Sequence, residues 1–277
     1  ASWHATSADN PFLAENPGDK RGTVPPHIFD REYLAKLPDD GGDVFRNLDD
    51  VLFTGNYDVV VNREYDPADE FVGEVARNPE HTTKPVSIGA DFARSRDYRV
   101  TLALDAAGEL CYYHRARNEG WDGIDAHIRG VYNDYGGVVV PDATRDNKLI
   151  ADLAMEGIQL EPVSFGPKKK KEIIENLATV VERGDCTVPD IDAMDQLHLE
   201  LRQLTEEITR TGYTKYHAPE NGYDDSVDAF ALAVEGMEYA GGAATATGSV
   251  GRDENDTSGG LDSIVRNQQR HRNNRWK

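Results

Sequence analysis

Pro85-Val-Ser-Ile-Gly-Ala-Asp91 and Gly136-Gly-Val-Val-Val-Pro-Asp142 each run apolar residues straight into an aspartate. A short apolar run bounded by turn residues reads as a buried strand, and both of these end on an acid. Between them, Tyr98-Arg-Val-Thr-Leu-Ala-Leu104 alternates polar and apolar residues, Asp105-Ala-Ala-Gly108 reads as a turn, and Glu109-Leu-Cys-Tyr-Tyr-His114 returns as a third strand. These three strands make an antiparallel meander, and a helix over Trp121–Tyr132 leads into the fourth. The fold class this predicts is α/β: a mixed sheet, an antiparallel three-strand meander plus parallel strands, flanked by helices.

Downstream, helices are expected over Asp146–Glu156 and Lys168–Glu182, with a strand over Ile158–Val163 between them. Met194, Leu197, Leu201, Leu204 and Ile208 step by three and four, which predicts one amphipathic helix. Tyr213–His217 reads as a short strand. Asp224-Asp-Ser-Val-Asp-Ala-Phe-Ala-Leu-Ala-Val234 reads as a helix that opens with acids at its positive end. Upstream, residues 1–56 are rich in turn signals, with short helical pieces over Phe29–Leu37 and Gly42–Leu52, and residues 57–84 read as a linker or an edge element. The main domain is therefore expected over residues 85–240, followed by a flexible linker and basic tail over 241–277. Ser263–Lys277 holds Arg266, Arg270, Arg272, Arg275 and Lys277 and no acid.

The 277 residues carry 30 Lys+Arg against 50 Asp+Glu, a net charge of −20. Such a charge repels phosphate in dilute buffer. Its make-up is one-sided: 30 Asp to 20 Glu, and 20 Arg to 10 Lys, four of those lysines in one run. Excess carboxylate with scarce lysine suits a halophilic cytoplasm, where molar salt screens charge within about 3 Å. An acidic protein of ordinary salt, with an anionic linker, fits the same numbers. No eighteen-residue apolar run and no charged-then-apolar leader occurs, which excludes membrane spans and classical secretion from the expectation. Cys111 and Cys186 are the only cysteines and stand at no metal-ligand spacing, so reduced thiols are expected and a disulfide scaffold or structural zinc is not.

In a mixed sheet of this order the first and fourth strands lie side by side, which ends Asp91 and Asp142 near each other. Asp225 and Asp228 stand about one turn apart at the start of a helix and can reach the same edge. Clustered carboxylates suit hard divalent cations, and two such ions about 4 Å apart cleave phosphodiesters. Taken singly, each acid reads as well as a turn residue or a helix cap. Lys168-Lys-Lys-Lys171 opens a helix where the dipole disfavours cations; it reads either as a phosphate contact or as a solvated run. Trp121, Tyr112, Tyr113 and Tyr132 read as packing residues, and the eight histidines show no ligand spacing.

Gly89-Ala-Asp91-Phe-Ala-Arg-Ser-Arg-Asp97, Val138-Val-Val-Pro-Asp142-Ala-Thr144 and Tyr216-His-Ala-Pro219-Glu-Asn-Gly-Tyr-Asp-Asp225-Ser-Val-Asp228-Ala-Phe-Ala-Leu-Ala resemble, in order, the three motifs of the RNase H-like nuclease domain of viral large terminases. The resemblance spans Pro85 to Tyr239. Ser2–Pro11 resembles the closing stretch of the terminase ATPase domain, and no G-x-x-x-x-G-K-[ST] occurs. The resemblance therefore implies a remnant of that domain over 1–56, with the ATP site upstream or on another chain. It implies metal-dependent endonucleolytic cleavage of concatemeric double-stranded viral DNA, with two Mg²⁺ or Mn²⁺ ions, in the host cytoplasm during virion assembly, in company with a small subunit and the capsid portal. Carried over to this sequence, Asp91 is the central metal ligand, Asp142 holds one ion, and Asp225 and Asp228 both contribute. Asp97, Thr144 and Asp224 are accessory, and Arg145, Lys148, Lys168, Lys169, Lys170 and Lys171 are the DNA contacts. The sequence departs from the pattern in two places. Arg145-Asp-Asn-Lys148 replaces a glycine-rich stretch, and Tyr223 stands where His is frequent. Two further readings use the same acids: a RuvC-like Holliday-junction resolvase, and a catalytically silent RNase H-like scaffold in the packaging complex.

Overall fold

Ser87 and Gly89 face one side of the sheet with almost no side chain, while Val86, Ile88 and Ala90 face the other with apolar bulk. That asymmetry sets how closely each layer approaches. The computed structural model of the chain describes residues 6–7, 17–21, 24, 26–35, 44–54, 58–66, 71–92, 98–117, 121–144 and 147–240. Their elements run α1 (Pro26–Tyr33), α2 (Leu48–Val51), β1 (Leu52–Phe53), β2 (Val59–Asp66), β3 (Phe71–Arg77), β4 (Ser87–Asp91), β5 (Arg99–Leu104), β6 (Leu110–Ala116), α3 (Trp121–Tyr135), β7 (Val138–Pro141), α4 (Asn147–Met155), α5 (Pro167–Arg183), β8 (Val188–Pro189), α6 (Asp195–Gln203), β9 (Thr205–Ile208), β10 (Thr214–His217) and α7 (Asp225–Ala240).

Six strands form one sheet in the order β2-β3-β6-β5-β4-β7, in which only the β4–β7 pair is parallel. The expected meander is β4-β5-β6. Its β5–β6 turn is held by Asp105, whose carboxylate accepts the backbone N–H groups of Ala107 and Glu109, with Gly108 supplying φ +80°. One face of the sheet packs Val100, Leu102, Leu104 and Tyr113 against α5, α6 and α7. The other packs Ile88, Ala90 and Val139 against Ile124 and Ile128 of α3 and Leu149, Ile150 and Leu153 of α4.

Within residues 57–84, expected as a linker or an edge element, Val59–Asp66 and Phe71–Arg77 form β2 and β3 at one edge of the sheet, with Val75 fully buried, so the edge element is the alternative that holds for these strands. Two expectations differ from the structure. The strand expected over Ile158–Val163 is reduced to isolated bridges, Leu160 to Val139 and Val163 to Asp142, because Pro141 of β7 has no N–H to donate to the Glu161 carbonyl, the rung that would join them. The helix expected over Met194–Ile208 stops at Gln203. Leu204 turns extended, Thr205–Ile208 pairs antiparallel with β10, and Ile208 is exposed. The β-branched residues at both ends of β9 favour the hairpin over a last helical turn.

Val44, Phe45, Leu48 and Val51 join the same core as α5 and α7, and β1 pairs with β8, so the segment before β2 packs on the sheet domain. Cys111 and Cys186 are buried free thiols, and burial pushes both up, Cys186 to about 12. Among the described residues no helix is long and apolar enough to cross a membrane. The flexible linker and basic tail expected over 241–277 lie outside the described residues.

Candidate active site

The parallel register sets Ala90 of β4 beside Pro141 of β7, and the Asp142 N–H donates to the Ala90 carbonyl (2.9 Å). Asp91 and Asp142 therefore finish at the same end of neighbouring strands. α7 crosses β4, β5 and β7 with its first turn towards that end. It comes so close because the facing residues are small. A Cβ on Gly89 would stand 2.0 Å from the Ala229 carbonyl oxygen, one on Gly236 would stand 2.2 Å from Ser87 Oγ, and Ser87 Oγ donates to the Ala233 carbonyl (2.6 Å).

This packing places Asp225 and Asp228, both buried, beside the two strand-end acids. Burial raises the Asp91 carboxyl well above the usual carboxylate range, and the charges of Asp228, Asp225 and Asp142 push the same way, against the Lys170 ammonium. Burial likewise raises Asp228. Lys170 pulls it back, Asp224 and Asp142 push it up, and the net position is about 7. Asp228 Oδ2 accepts a hydrogen bond from Lys170 Nζ (2.7 Å), whereas its Oδ1 is buried with no hydrogen-bond partner among the described residues. Among those residues, no three His, Cys, Asp or Glu side chains are gathered into a group that could hold a metal ion. The four acids share one electrostatic neighbourhood without being drawn into ligand geometry.

The accessory residues divide. Thr144 donates to Asp142 Oδ1 through both its N–H (2.9 Å) and its hydroxyl (2.5 Å), and its Oγ1 accepts the Phe165 N–H (2.8 Å). Asp224 pairs with Lys170 (2.8 Å), and its carbonyl accepts the Asp228 N–H. Asp97 and Arg145 lie outside the described residues. Of the lysines expected at phosphate, Lys148 is exposed on α4 and pairs loosely with Asp152. Lys168 is exposed. The other three are held by carboxylates: Lys169 by Glu172 and Glu235, Lys170 by Asp224 and Asp228, Lys171 by Glu175. Carboxylates of α5 itself and of α7 and the residue before it thus offset the unfavourable position of these cations at the start of α5.

Sequence reasoning missed the layer beneath. Arg115 of β6 is buried, with its guanidinium 2.8 Å from Glu200 Oε1 and 3.7 Å from Asp225 Oδ2. Glu200 Oε2 accepts the Ser226 N–H (2.7 Å), and the Ser226 and Tyr113 hydroxyls share a hydrogen bond. The Arg115 guanidinium lies 3.6 Å from the centre of the Tyr98 ring. The available signal was Glu200 itself, a charged residue three positions after Leu197 on the apolar stripe of α6.

No protein-family model matches the chain. The large terminase subunits of Thermus phage G20c and Thermus virus P23-45 are each 30% identical to it over 243 residues, 86% of this chain. The chain is similar to these large terminase subunits over most of its own length. It spans about half the length of these curated relatives, 47% of each. The crystal structure of the large terminase nuclease from thermophilic phage G20c with bound magnesium superposes with a TM-score of 0.56 at 27% identity, covering 71% of this chain and 98% of that one. The mixed sheet flanked by helices is the RNase H-like fold of terminase nuclease domains.

Proposed function

We propose that this chain is the nuclease portion of a terminase large subunit, cutting concatemeric double-stranded viral DNA in the host cytoplasm during packaging, in company with a small subunit and the capsid portal. The observation that supports this reading is the parallel pairing of β4 and β7 beside Asp91 and Asp142, with Asp225 and Asp228 close enough for their charges to act on Asp91, in a chain similar to a terminase nuclease solved with bound magnesium. The donor set suits a hard divalent cation. All four groups are carboxylates, mutual repulsion calls for positive charge, and Asp228 Oδ1 is buried without a donor among the described residues. Asp91, Asp142, Asp225 and Asp228 would hold the metal, with Asp91 as the central ligand. Two Mg²⁺ or Mn²⁺ ions held there would supply an activated water and charge stabilisation for the leaving oxygen.

The chain's own residues prepare that site. Thr144 fixes the orientation of the Asp142 carboxylate, and Arg115 with Glu200 fixes the first turn of α7 and thereby the aim of Asp225. Asp97 and Asp224 are assigned accessory roles, and Arg145, Lys148 and Lys168–Lys171 the grip on the DNA backbone. Salt at molar concentration relieves the −20 charge of the chain, and a high-salt host is part of the proposal.

The test is conversion of supercoiled plasmid to open and linear forms at low and molar KCl, with Mg²⁺, with Mn²⁺ and with chelator. Metal-dependent cleavage lost in Asp91→Asn is the expected result. Cleavage that persists in Asp91→Asn overturns the ligand assignment, and silence of the folded chain under every condition favours the scaffold reading. A melting temperature unchanged between dilute buffer and molar KCl overturns the high-salt host.

A further inference from the structure

Lys170 stands where a cation is needed. Its ammonium lies 2.8 Å from Asp224 and 2.7 Å from Asp228, with the side chain 22% exposed, and it is the ammonium whose charge Asp91 feels. We propose that Lys170 is a built-in counter-ion that occupies part of the divalent-metal position in the metal-free protein and must leave Asp228 when the metal enters. The inference rests on the nuclease reading and goes beyond it, since it concerns what the site does before metal arrives.

Three observations carry it. The first is the split use of Asp228: one oxygen is taken by Lys170, and the other is buried with no hydrogen-bond partner among the described residues. The second is that the ammonium bridges two acids at once, at 2.8 Å from Asp224 and 2.7 Å from Asp228, as a cation set between carboxylates does. The third is the mounting of Lys170. It sits in the first turn of α5, a helix anchored on α7 by its neighbour Lys169 through Glu235. Lys170 can therefore swing on its four-carbon stem while the helix stays in place. A divalent ion brings twice the charge and meets several carboxylates at once, which favours exchange.

The experiment is calorimetric titration of the full chain with Mn²⁺ alone, without DNA, for the wild type, Lys170→Met and Lys169→Met. Lys169→Met removes the same charge one residue away, where the partners are Glu172 and Glu235, and controls for net charge. Melting in chelator confirms that each variant is folded. Lys170→Gln replaces Lys170→Met if the latter is not. The expected result is Mn²⁺ affinity raised about tenfold or more in Lys170→Met and little changed in Lys169→Met. The melting temperature in chelator should also fall more in Lys170→Met, with a larger rise on adding Mn²⁺. Equal or weaker Mn²⁺ binding by folded Lys170→Met, alongside a wild type that binds, overturns the counter-ion role and leaves the metal site standing. If neither protein binds Mn²⁺, the metal-site reading itself fails and takes this inference with it.

Discussion

Arg115 and Glu200 face each other at 2.8 Å, each side chain 1% exposed, directly beneath the first turn of α7. One end of this pair reaches Asp225, and the other accepts the Ser226 N–H. A charge pair with no access to water is costly to break from one side, because the survivor is left buried and uncompensated.

Arg115→Met should therefore destabilise the chain by about 3–5 kcal/mol. Arg115→Met combined with Glu200→Met should recover much of the loss. Urea unfolding of the two variants checks this. A single variant no less stable than the double would show that Glu200 does not depend on Arg115.

Gly89→Ala should displace α7 from β4. The added Cβ would meet the Ala229 carbonyl oxygen at 2.0 Å and the Ala233 nitrogen at 2.4 Å, both backbone atoms that no side-chain rotation moves. A loss of about 3 kcal/mol or more is expected, with plasmid cleavage falling as Asp225 and Asp228 draw away from Asp91. Gly130→Ala, exposed within α3 where a Cβ meets nothing within 4 Å, is the control: it should stabilise slightly, by about 0.5–1 kcal/mol, and leave cleavage unchanged.

Asp91→Asn should melt in chelator at a temperature equal to or above that of the wild type. It removes a charge that burial and three neighbouring carboxylates oppose. Differential scanning calorimetry in chelator reads this directly, and a clear fall in melting temperature would mean that the carboxylate is held by favourable contacts instead.

His127 should stay neutral well below its ordinary range, at about 4, because burial and then Arg99 oppose its charging. A histidine depressed in this way contributes stability that is complete above about 6.5 and is lost as pH falls through about 4. Its ring lies 4.2 Å from His114 and its Nε2 3.5 Å from the Tyr112 hydroxyl. His127→Gln should flatten the dependence of melting temperature on pH between about 6.5 and 4. An unaltered slope in that window would show that His127 charges freely in the fold.

The centre of the sheet was legible because its strands are short, apolar and end on unambiguous turns. Asp105-Ala-Ala-Gly108 is one such turn. The meeting of Asp91 with Asp142 followed from strand order alone. The outer strands were legible only as one of two alternatives, because Asn62, Arg63, Glu64 and Asp66 give β2 the composition of a linker, as an edge strand allows. Ile208 misled because a three-four spacing continued by chance past the end of α6 into a hairpin. The Arg115–Glu200 pair was invisible for a different reason. Its partners lie on separate elements, and only tertiary packing tells a buried charge from a solvated one. The lysine run was legible as unusual, but its carboxylate partners on α5, along α7 and just before α7 were not.

The hydrogen bond from Phe165 N–H to Thr144 Oγ1 closes the chain on itself 21 residues after Thr144, just beyond Asp142. Everything between, α4 included, is an excursion that departs from and returns to one point. Its far turn carries Glu156 and Gly157, both exposed, with Gly157 at φ +88° and open space around it. Because the ends are already joined, lengthening that turn adds only slowly to the entropy of closure. Related chains can therefore differ in length there, gaining or losing residues without moving either Asp142 or the start of α5.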